Sequence, residues 1–105
     1  MKVKRAAGSA CYIPPCDKLN SPKGYILIFG GCTDNMVKTK LAERYNISTN
    51  TWEYIEKMNF GRARPSCSYH KESRSVYLFF GTDSNKQNIS VVEKYDILEN
   101  TWSYI

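Results

Sequence analysis

The sequence predicts an all-β fold built from two four-stranded antiparallel units. Three observations support this: an internal repeat of about 50 residues, short strand-like segments separated by turn formers, and the lack of any sustained helical period with caps. Of the 105 residues, 13% are aromatic and eight are tyrosines, a composition typical of β-rich globular chains. This length suits one ordinary domain and is too short for two independent cores.

The repeat consists of three blocks that recur in the same order. In the last block more than half of the fifteen aligned positions are identical, which chance does not produce. The offset falls along the chain from 57 to 51 to 50 residues, so the length differences can be located. In chain order, the matching blocks are Met1-x-x-x-Arg5-Ala6 with Met58-x-x-x-Arg62-Ala63, residues 25–30 with 76–81, and residues 41–55 with 91–105.

These blocks divide the chain into two units, residues 1–57 and 58–105. The first unit carries its extra length between its first two blocks, where Pro, Ser, Asn and Gly are frequent. Because these residue types favour turns and loops, residues 13–24 are predicted to form an enlarged loop between two strands.

Each unit is predicted to contain four short strands. The second strand of each unit is nearly all apolar, which predicts burial on both faces, and the third alternates between its two faces. The predicted strands are Ala6–Tyr12, Tyr25–Phe29, Leu41–Asn46 and Thr51–Ile55 in the first unit, and Ser66–His70, Val76–Phe80, Val91–Asp96 and Thr101–Ile105 in the second.

Four strands in about 50 residues is the pattern of a β-propeller blade. Each unit begins with an Arg and later carries a Glu-x-Tyr motif followed by Trp, and in the first unit the aliphatic strand ends in a Gly pair. In the first unit these markers are Arg5, Gly30-Gly31, Glu43-x-Tyr45-Asn46 and Trp52. In the second unit they are Arg62, Glu93-x-Tyr95-Asp96 and Trp102. This combination resembles Kelch repeats over nearly the whole chain. The resemblance implies two Kelch-type blades, which form part of a propeller.

The second unit departs from the family pattern, because Gly81-Thr82 stands where Kelch repeats have a Gly pair. We therefore expect a less kinked strand exit there, or an unusual rotamer of Thr82. The large aromatic side chains of both units are expected to be packing anchors, since each can bury about 150–250 Å². These anchors are Tyr45, Trp52, Tyr95 and Trp102.

Glu43 and Glu93 are predicted to form structural ion pairs. Strand alternation places each carboxylate on an apolar face, where an unpaired charge is costly. Arg5 and Arg62 are the basic residues that occur at the same repeat position in both units, on the side of the sheet that carries the Glu. We expect each Glu to pair with an Arg of its own or of the adjacent unit.

Two blades leave two broad sheet faces uncovered, although a blade normally buries both faces against its neighbours. Three interpretations remain open: the chain is a fragment of a longer propeller, copies of it assemble into a ring, or a partner caps it. Because both units are complete, the first interpretation is favoured over self-assembly, and a closed trimer would supply six blades.

The resemblance implies a protein-interaction module that recognises a partner protein through its inter-strand loops, as an adaptor or scaffold. Family members include substrate adaptors of ubiquitin ligases and proteins that bind the cytoskeleton, so components of either system are possible partners. The polar loops 13–24, 32–40 and 83–90 are the candidate contact segments. No individual residue is assigned a binding role. The alternative function is a structural subunit that completes a propeller ring.

No enzyme is predicted, and no catalytic residue, cofactor or metal site is assigned. A remnant of a Kelch-like copper enzyme is the least favoured interpretation, because such a site needs at least two His and this chain has one. His70 is expected to be an ordinary surface residue. Cys11, Cys16, Cys32 and His70 would form a four-ligand site only by coincidence of the fold.

The charge and hydropathy patterns exclude several partner classes. The net charge of +5 is spread along the chain without a basic stripe, which argues against a nucleic-acid surface. The longest apolar run has five residues, against about 20 for a membrane span. The basic N-terminus lacks the apolar segment of a signal peptide, so we expect a cytoplasmic location with reduced cysteines, including Cys67.

Overall fold

Every regular element of the computed structural model is a β-strand, within the residues that the structure describes: 2, 5–15, 21–33, 38–83 and 85–105. These parts of the chain contain no helix that could cross a membrane. The strands are β1 (Ser9–Ile13), β2 (Tyr25–Phe29), β3 (Ala42–Asn46), β4 (Thr51–Ile55), β5 (Ser66–His70), β6 (Ser75–Phe79), β7 (Glu93–Asp96) and β8 (Thr101–Tyr104).

The eight strands form two four-stranded antiparallel sheets in simple chain order. Strands β1 to β4 form sheet 1 and strands β5 to β8 form sheet 2. The registers of the two sheets correspond at an offset of 50 residues: Tyr25 lies opposite Asn46 in sheet 1, and Ser75 lies opposite Asp96 in sheet 2. The chain therefore has the predicted all-β architecture of two four-stranded antiparallel units. The division at residues 57 and 58 stays a prediction; residues 56–65 connect the sheets.

The most similar part of the repeat forms the hairpin turns between β3 and β4 and between β7 and β8. The Oδ1 atom of Asn46 accepts hydrogen bonds from the backbone N–H groups of residues 48 and 49, at 3.0 and 3.2 Å. Asp96 does the same for residues 98 and 99, both at 3.0 Å. Asn50 and Asn100 follow with a positive φ of 55°, a conformation that Asn tolerates better than most residues. This turn chemistry explains why the Asn/Asp…Asn-Thr-Trp spacing recurs.

The predicted strands are largely confirmed, and three have the predicted bounds: Tyr25–Phe29, Thr51–Ile55 and Ser66–His70. The first strand begins at Ser9 instead of Ala6, because the chain bends at Ala7, which has a φ of 60°. Ala6 contributes only an isolated bridge to Cys32. The remaining strands begin or end one or two residues from the predicted positions.

The predicted second strand of unit two, Val76–Phe80, is shifted by one residue. The strand is Ser75–Phe79, and Phe80 lies outside it with 64% of its surface exposed. Phe80 and Gly81, with φ of 59° and 95°, therefore occupy the places of Gly30 and Gly31, with φ of 64° and 98°. The expectation of a less kinked strand exit at Gly81-Thr82 was wrong. The kink is retained, and Phe80 replaces the first Gly of the pair.

The hydrophobic core lies between the two sheets. Sheet 1 contributes the face that carries Ile13, Leu27 and Phe29, each at most 1% exposed. Sheet 2 contributes the face of Val76 and Leu78, both fully buried. Other core members are Tyr25, Ala42, Ile55, Met58, Tyr95 and Ile97, with Cys11, Cys67, Tyr69 and Trp102 packed against them. The second strands are thus buried mainly on one face, and the predicted burial on both faces was wrong.

The two sheets use opposite faces for this contact. By strand register, the inner face of sheet 2, with Tyr95 and Trp102, corresponds to the outer face of sheet 1, with Tyr45 and Trp52. Tyr95 is 1% exposed and Trp102 packs against Phe29, with 5.6 Å between ring centroids. The predicted anchor role is therefore confirmed for this pair. Tyr45 and Trp52 contact each other with tilted rings, 4.9 Å between centroids, and stay half-buried.

Candidate interaction surface

The three loops singled out from the sequence do not lie together. Antiparallel pairing places the β2–β3 loop and the β6–β7 loop at the same end of their sheets, where β1 and β5 begin. The predicted segments 32–40 and 83–90 belong to these two loops, whereas segment 13–24 connects β1 and β2 at the opposite end. Parts of these segments, 16–20, 34–37 and 84, lie outside the described residues.

The connector between the sheets joins the β2–β3 loop and the β6–β7 loop into one surface. The backbone N–H of Gly31 donates to the Arg62 carbonyl at 2.8 Å, and the N–H of Arg64 donates to the Ala7 carbonyl at 2.7 Å. Gly61 packs so closely on Lys38 that an added Cβ would lie 2.4 Å from its carbonyl oxygen. We name residues 32–33, 38–40, 61–64, 80–83 and 85–90 the strand-end surface.

Each loop of this surface is clamped at its base by a buried Arg. In sheet 1, Arg5 Nη1 donates to the carbonyls of Gly30 and Leu41, both at 2.9 Å, and Arg5 Nη2 lies 2.8 Å from Glu43 Oε2. Gly30 and Leu41 flank the loop. One guanidinium therefore ties together the two ends of the β2–β3 loop, and Glu43 neutralises its charge.

The second sheet repeats this arrangement. Arg62 Nη1 donates to the carbonyls of Phe80 and Val91, at 2.9 and 3.2 Å, and Arg62 Nη2 lies 2.7 Å from Glu93 Oε2. The backbone N–H of Asn59 donates to the other carboxylate oxygen at 2.9 Å. The predicted Glu–Arg pairs are confirmed, and each forms within one unit. Their side chains are at most 2% exposed, so loss of either partner would leave a buried charge.

The strand-end surface contains a pocket of about 540 Å³. Arg64 of the connector and Phe80 at the exit of β6 stand on its wall, and Ile89 contributes apolar surface. The remaining lining residues are Gly81, Thr82, Asn88 and Ser90. A volume of this size suits a small ligand or a few side chains of a partner. The pocket is mostly apolar with a few polar groups, as binding sites commonly are.

Sequence reasoning missed Arg64 and Phe80. Arg64 corresponds to Ala7 and Phe80 to Gly30, so the second unit has large side chains where the first has small ones. All four residues have a positive φ, between 52° and 64°. Aligning the second block at an offset of 50 residues would have shown that Phe80 takes the position of a glycine.

Charged side chains at the strand-end surface are mostly basic in the described parts of the chain. Lys40, Arg64 and Lys86 are exposed, and Lys38 is half-buried. Asp83 is the acidic residue among the described members, and its Oδ1 accepts hydrogen bonds from the N–H groups of Asn85 and Gln87, both at 2.9 Å. The described members of the surface therefore carry an excess of positive charge, and Asp83 holds a turn of the loop.

The residues considered for a metal site are not brought together. His70 ends β5 at the opposite end from Cys32, and its Nδ1 lies 2.8 Å from the hydroxyl of Ser73. Cys11 projects between the sheets. Among the described residues no group of three or more His, Cys, Asp or Glu could hold a metal ion. Cys16, the fourth residue of that hypothesis, lies outside the described residues.

Cys11 and Cys67 form a thiol pair between β1 and β5. The hydrogen bond with Cys11 lowers the pKa of Cys67 from 9.0 to about 6, although partial burial opposes this shift. The Ser9 hydroxyl, 3.2 Å from Cys67 Sγ, acts in the same direction. The same thiol contact, together with burial, raises the pKa of Cys11 above its usual range. The pair is a chemically distinct feature of the sheet interface.

Comparisons with known proteins agree with this geometry. Residues 20–59, which include β2 to β4, match the model of the Kelch motif. A RING finger domain and kelch repeat-containing protein from Dictyostelium discoideum is 37% identical over 54 residues, which cover 51% of this chain. The chain spans only 5% of that relative's length.

Proposed function

We propose that the chain, whose residues 20–59 match the Kelch motif, is a protein-interaction module that recognises a partner protein through the strand-end surface. Kelch repeats generally mediate contacts between proteins. The observation that carries the proposal is the joint surface itself. Two loops and one connector form this surface and are joined by backbone hydrogen bonds, and its β6–β7 part lines a pocket together with Arg64 of the connector.

Rigidity makes this surface suitable for recognition. Arg5 and Arg62 fasten the ends of each loop to the sheet, so less conformational entropy is lost when a partner binds. Loops on a rigid scaffold are a common location of binding residues. Lys86 and Arg64 give the surface a positive potential, which favours a partner with acidic groups at its contact site.

The finer proposal is an adaptor or scaffold role. The name of the Dictyostelium relative combines kelch repeats with a RING finger domain, which suggests a connection to ubiquitin ligases. For this chain, components of a ubiquitin ligase are therefore the first partners to test. The cytoskeletal components implied by the family resemblance come second. A cytoplasmic location is part of the same proposal.

A structural role, in which the chain completes a ring of blades, is the second candidate. It is supported by the outer face of sheet 1, where Tyr12 and Tyr54 are 53% and 50% exposed. By register Tyr12 corresponds to Tyr69, which packs against the core on the face by which sheet 2 contacts sheet 1. Another sheet could cover Tyr12 in the same way.

Charge reversal tests the proposed surface. The variant Arg64→Glu/Lys86→Glu changes two exposed charges at the strand-end surface, and Lys23→Glu/Lys71→Glu makes the same change in net charge at the opposite end. Proteins captured by the wild-type chain are identified by mass spectrometry, and the affinity of each purified candidate is measured for all three chains. We expect the first variant to bind its partner at least about tenfold more weakly, and the second to bind like wild type. Equal affinities of the two variants would contradict the proposal.

A further inference from the structure

The contact between the two sheets brings together two cysteines that are distant in the sequence. Cys11 lies on β1 and Cys67 on β5, and these two strands lie side by side at the sheet interface. A backbone hydrogen bond from Arg64 to Ala7, at 2.7 Å, joins the chain shortly before both strands begin. Each cysteine is half-buried and packs against the core between the sheets. Two thiols from different blades therefore meet at one place.

The Cys67 sulfur lies directly against β1. Its Sγ atom is 3.2 Å from the Ser9 hydroxyl and 3.3 Å from the Ala10 carbonyl oxygen, to which the neutral thiol donates. Ser9 and Cys11 point to the same face of β1, because alternate residues of a strand share a face. This face therefore presents the Cys11 thiol to Cys67 as well, and the two thiols form a hydrogen bond.

The repeat does not account for this pair. By strand register, Cys11 corresponds to Ser68 of the second blade, and Cys67 corresponds to Ala10 of the first. The two cysteines thus occupy different repeat positions, which point to opposite faces of their sheets. They meet because the sheets stack through opposite faces. The thiol pair is therefore a property of this one interface.

The surroundings of the pair give its two sulfurs different chemistry. The hydrogen bond with Cys11 lowers the pKa of Cys67 to about 6, so Cys67 is mostly a nucleophilic thiolate at pH 7. Cys11, whose pKa is raised by the same contact, stays protonated. Once deprotonated, Cys67 also accepts the hydrogen bond of the Ser9 hydroxyl. An accessible thiolate beside a second thiol that can displace its oxidation product is the typical arrangement of redox-sensing cysteines.

We propose that Cys11 and Cys67 are a redox modification site, at which a hydroperoxide converts the two thiols into a disulfide between the blades. The Cys67 sulfur attacks one peroxide oxygen, the O–O bond breaks, and the leaving oxygen takes up a proton. The Cys11 sulfur then attacks the sulfenic sulfur of Cys67. The S–S bond forms, the S–O bond breaks, and the released hydroxide leaves as water with the Cys11 proton. The two thiols lose two electrons, which the peroxide gains.

The disulfide adds a covalent link between β1 and β5. It forms on oxidation and is reversed by excess thiol, so the resting state keeps the reduced cysteines that the sequence predicts. Neither cysteine belongs to the strand-end surface, and this chemistry does not depend on the binding role proposed for that surface.

Peroxide oxidation followed by peptide mass spectrometry tests this proposal. The chain is treated with hydrogen peroxide at pH 7, the remaining thiols are blocked with N-ethylmaleimide, and the peptides are analysed without reduction. We expect a Cys11–Cys67 disulfide within single chains, with both thiols lost at least about tenfold faster than the Cys32 thiol. Cys32 is the internal control, because it is also half-buried but lies outside the β1–β5 contact. Dithiothreitol should restore both thiols.

Two variants and an unfolded sample separate the contributions. Cys11→Ala, which lacks the second thiol, should stop at the sulfenic acid of Cys67, which dimedone traps, whereas Cys67→Ala should leave Cys11 unmodified over the same time. Both variants are checked for folding by circular dichroism. The urea-unfolded wild-type chain should form the disulfide at least about tenfold more slowly than the folded chain. Equal rates in these two states, disulfides between chains, or pairing of either residue with Cys16 or Cys32 would overturn the proposal.

Discussion

Arg62 and Glu93 form a fully buried ion pair, with 2.7 Å between Nη2 and Oε2 and no exposed side-chain surface on either residue. The same guanidinium donates to two backbone carbonyls at the base of the β6–β7 loop. One side chain thus links the connector, β7 and the loop. The stability of the second blade and the shape of the β6–β7 loop therefore depend on the same Arg62 side chain.

Removing this side chain should destabilise the fold strongly. Arg62→Ala leaves Glu93 buried without its cation, and breaking such a pair typically costs about 3–5 kcal/mol. Glu53→Ala is the matched control, because 51% of the Glu53 side chain is exposed in its ion pair with Arg44, so the expected cost is about 0–1 kcal/mol. Urea unfolding followed by Trp fluorescence measures both. Similar stabilities of the two variants would argue against the role assigned to the buried pair.

Gly30→Ala should weaken the contact between the blades. The new Cβ would lie 2.4 Å from the Arg62 carbonyl oxygen, and the positive φ adds strain, so we expect a loss of at least about 2 kcal/mol. Gly8→Ala is a milder comparison, because the added Cβ would lie 3.2 Å from its nearest neighbouring atom. Thermal unfolding by circular dichroism measures the difference. A Gly30→Ala variant as stable as wild type would mean that the sheets do not approach each other in this way.

Asn100 is expected to contribute more to stability than its counterpart Asn50. Both have a φ of 55° and accept a hydrogen bond from the Tyr of the preceding strand, but Asn100 Oδ1 also accepts the N–H of Glu56, at 2.9 Å. That bond joins the two sheets. Asn100→Ala should cost about 1 kcal/mol more than Asn50→Ala in urea unfolding. The reverse order would contradict the assigned contact.

The thiol pair predicts a selective, pH-dependent reaction. Because the pKa of Cys67 is lowered to about 6, this thiol is mostly deprotonated at pH 7, and its alkylation should slow as the pH falls through 6. Cys11, whose pKa is raised, should react far more slowly over the same range. Iodoacetamide labelling between pH 5 and 9, with peptide mass spectrometry, gives both profiles.

Cys11→Ala serves as the control for this prediction. The variant removes the hydrogen bond that is the largest cause of the lowered pKa, so the labelling profile of Cys67 should move toward its ordinary value of 9.0. If Cys67 already reacts in wild type with a midpoint near 9, the thiol contact does not exist in solution.

Sequence reasoning succeeded where a repeated residue has a repeated physical role. The Glu43 and Glu93 pairs could be predicted because a carboxylate on an apolar face needs a cation, and on that side of the units only Arg5 and Arg62 recur at the same repeat position. Most strands followed from apolar runs and turn residues. The hairpin motif around Asn100 also marked the ends of strands reliably.

The missed features depend on three-dimensional relationships between distant residues. Phe80 continues an apolar run, so periodicity assigned it to a strand, and the pairing of β6 with β7 fixes the offset of 50 residues at which it takes the place of a glycine. The separation of segment 13–24 from the other two loops follows from antiparallel topology. Arg64 was overlooked because a single exposed Arg carries no pattern until Phe80 and Ile89 are placed beside it.

Stacking of the two sheets through opposite faces is tested most directly by nuclear Overhauser effects between aromatic rings. We predict cross-peaks between the ring protons of Phe29 and Trp102, whose centroids lie 5.6 Å apart, and none between Phe29 and Trp52, which lies on the other face of sheet 1. Cross-peaks to Trp52 without cross-peaks to Trp102 would show that the blades do not stack in this way.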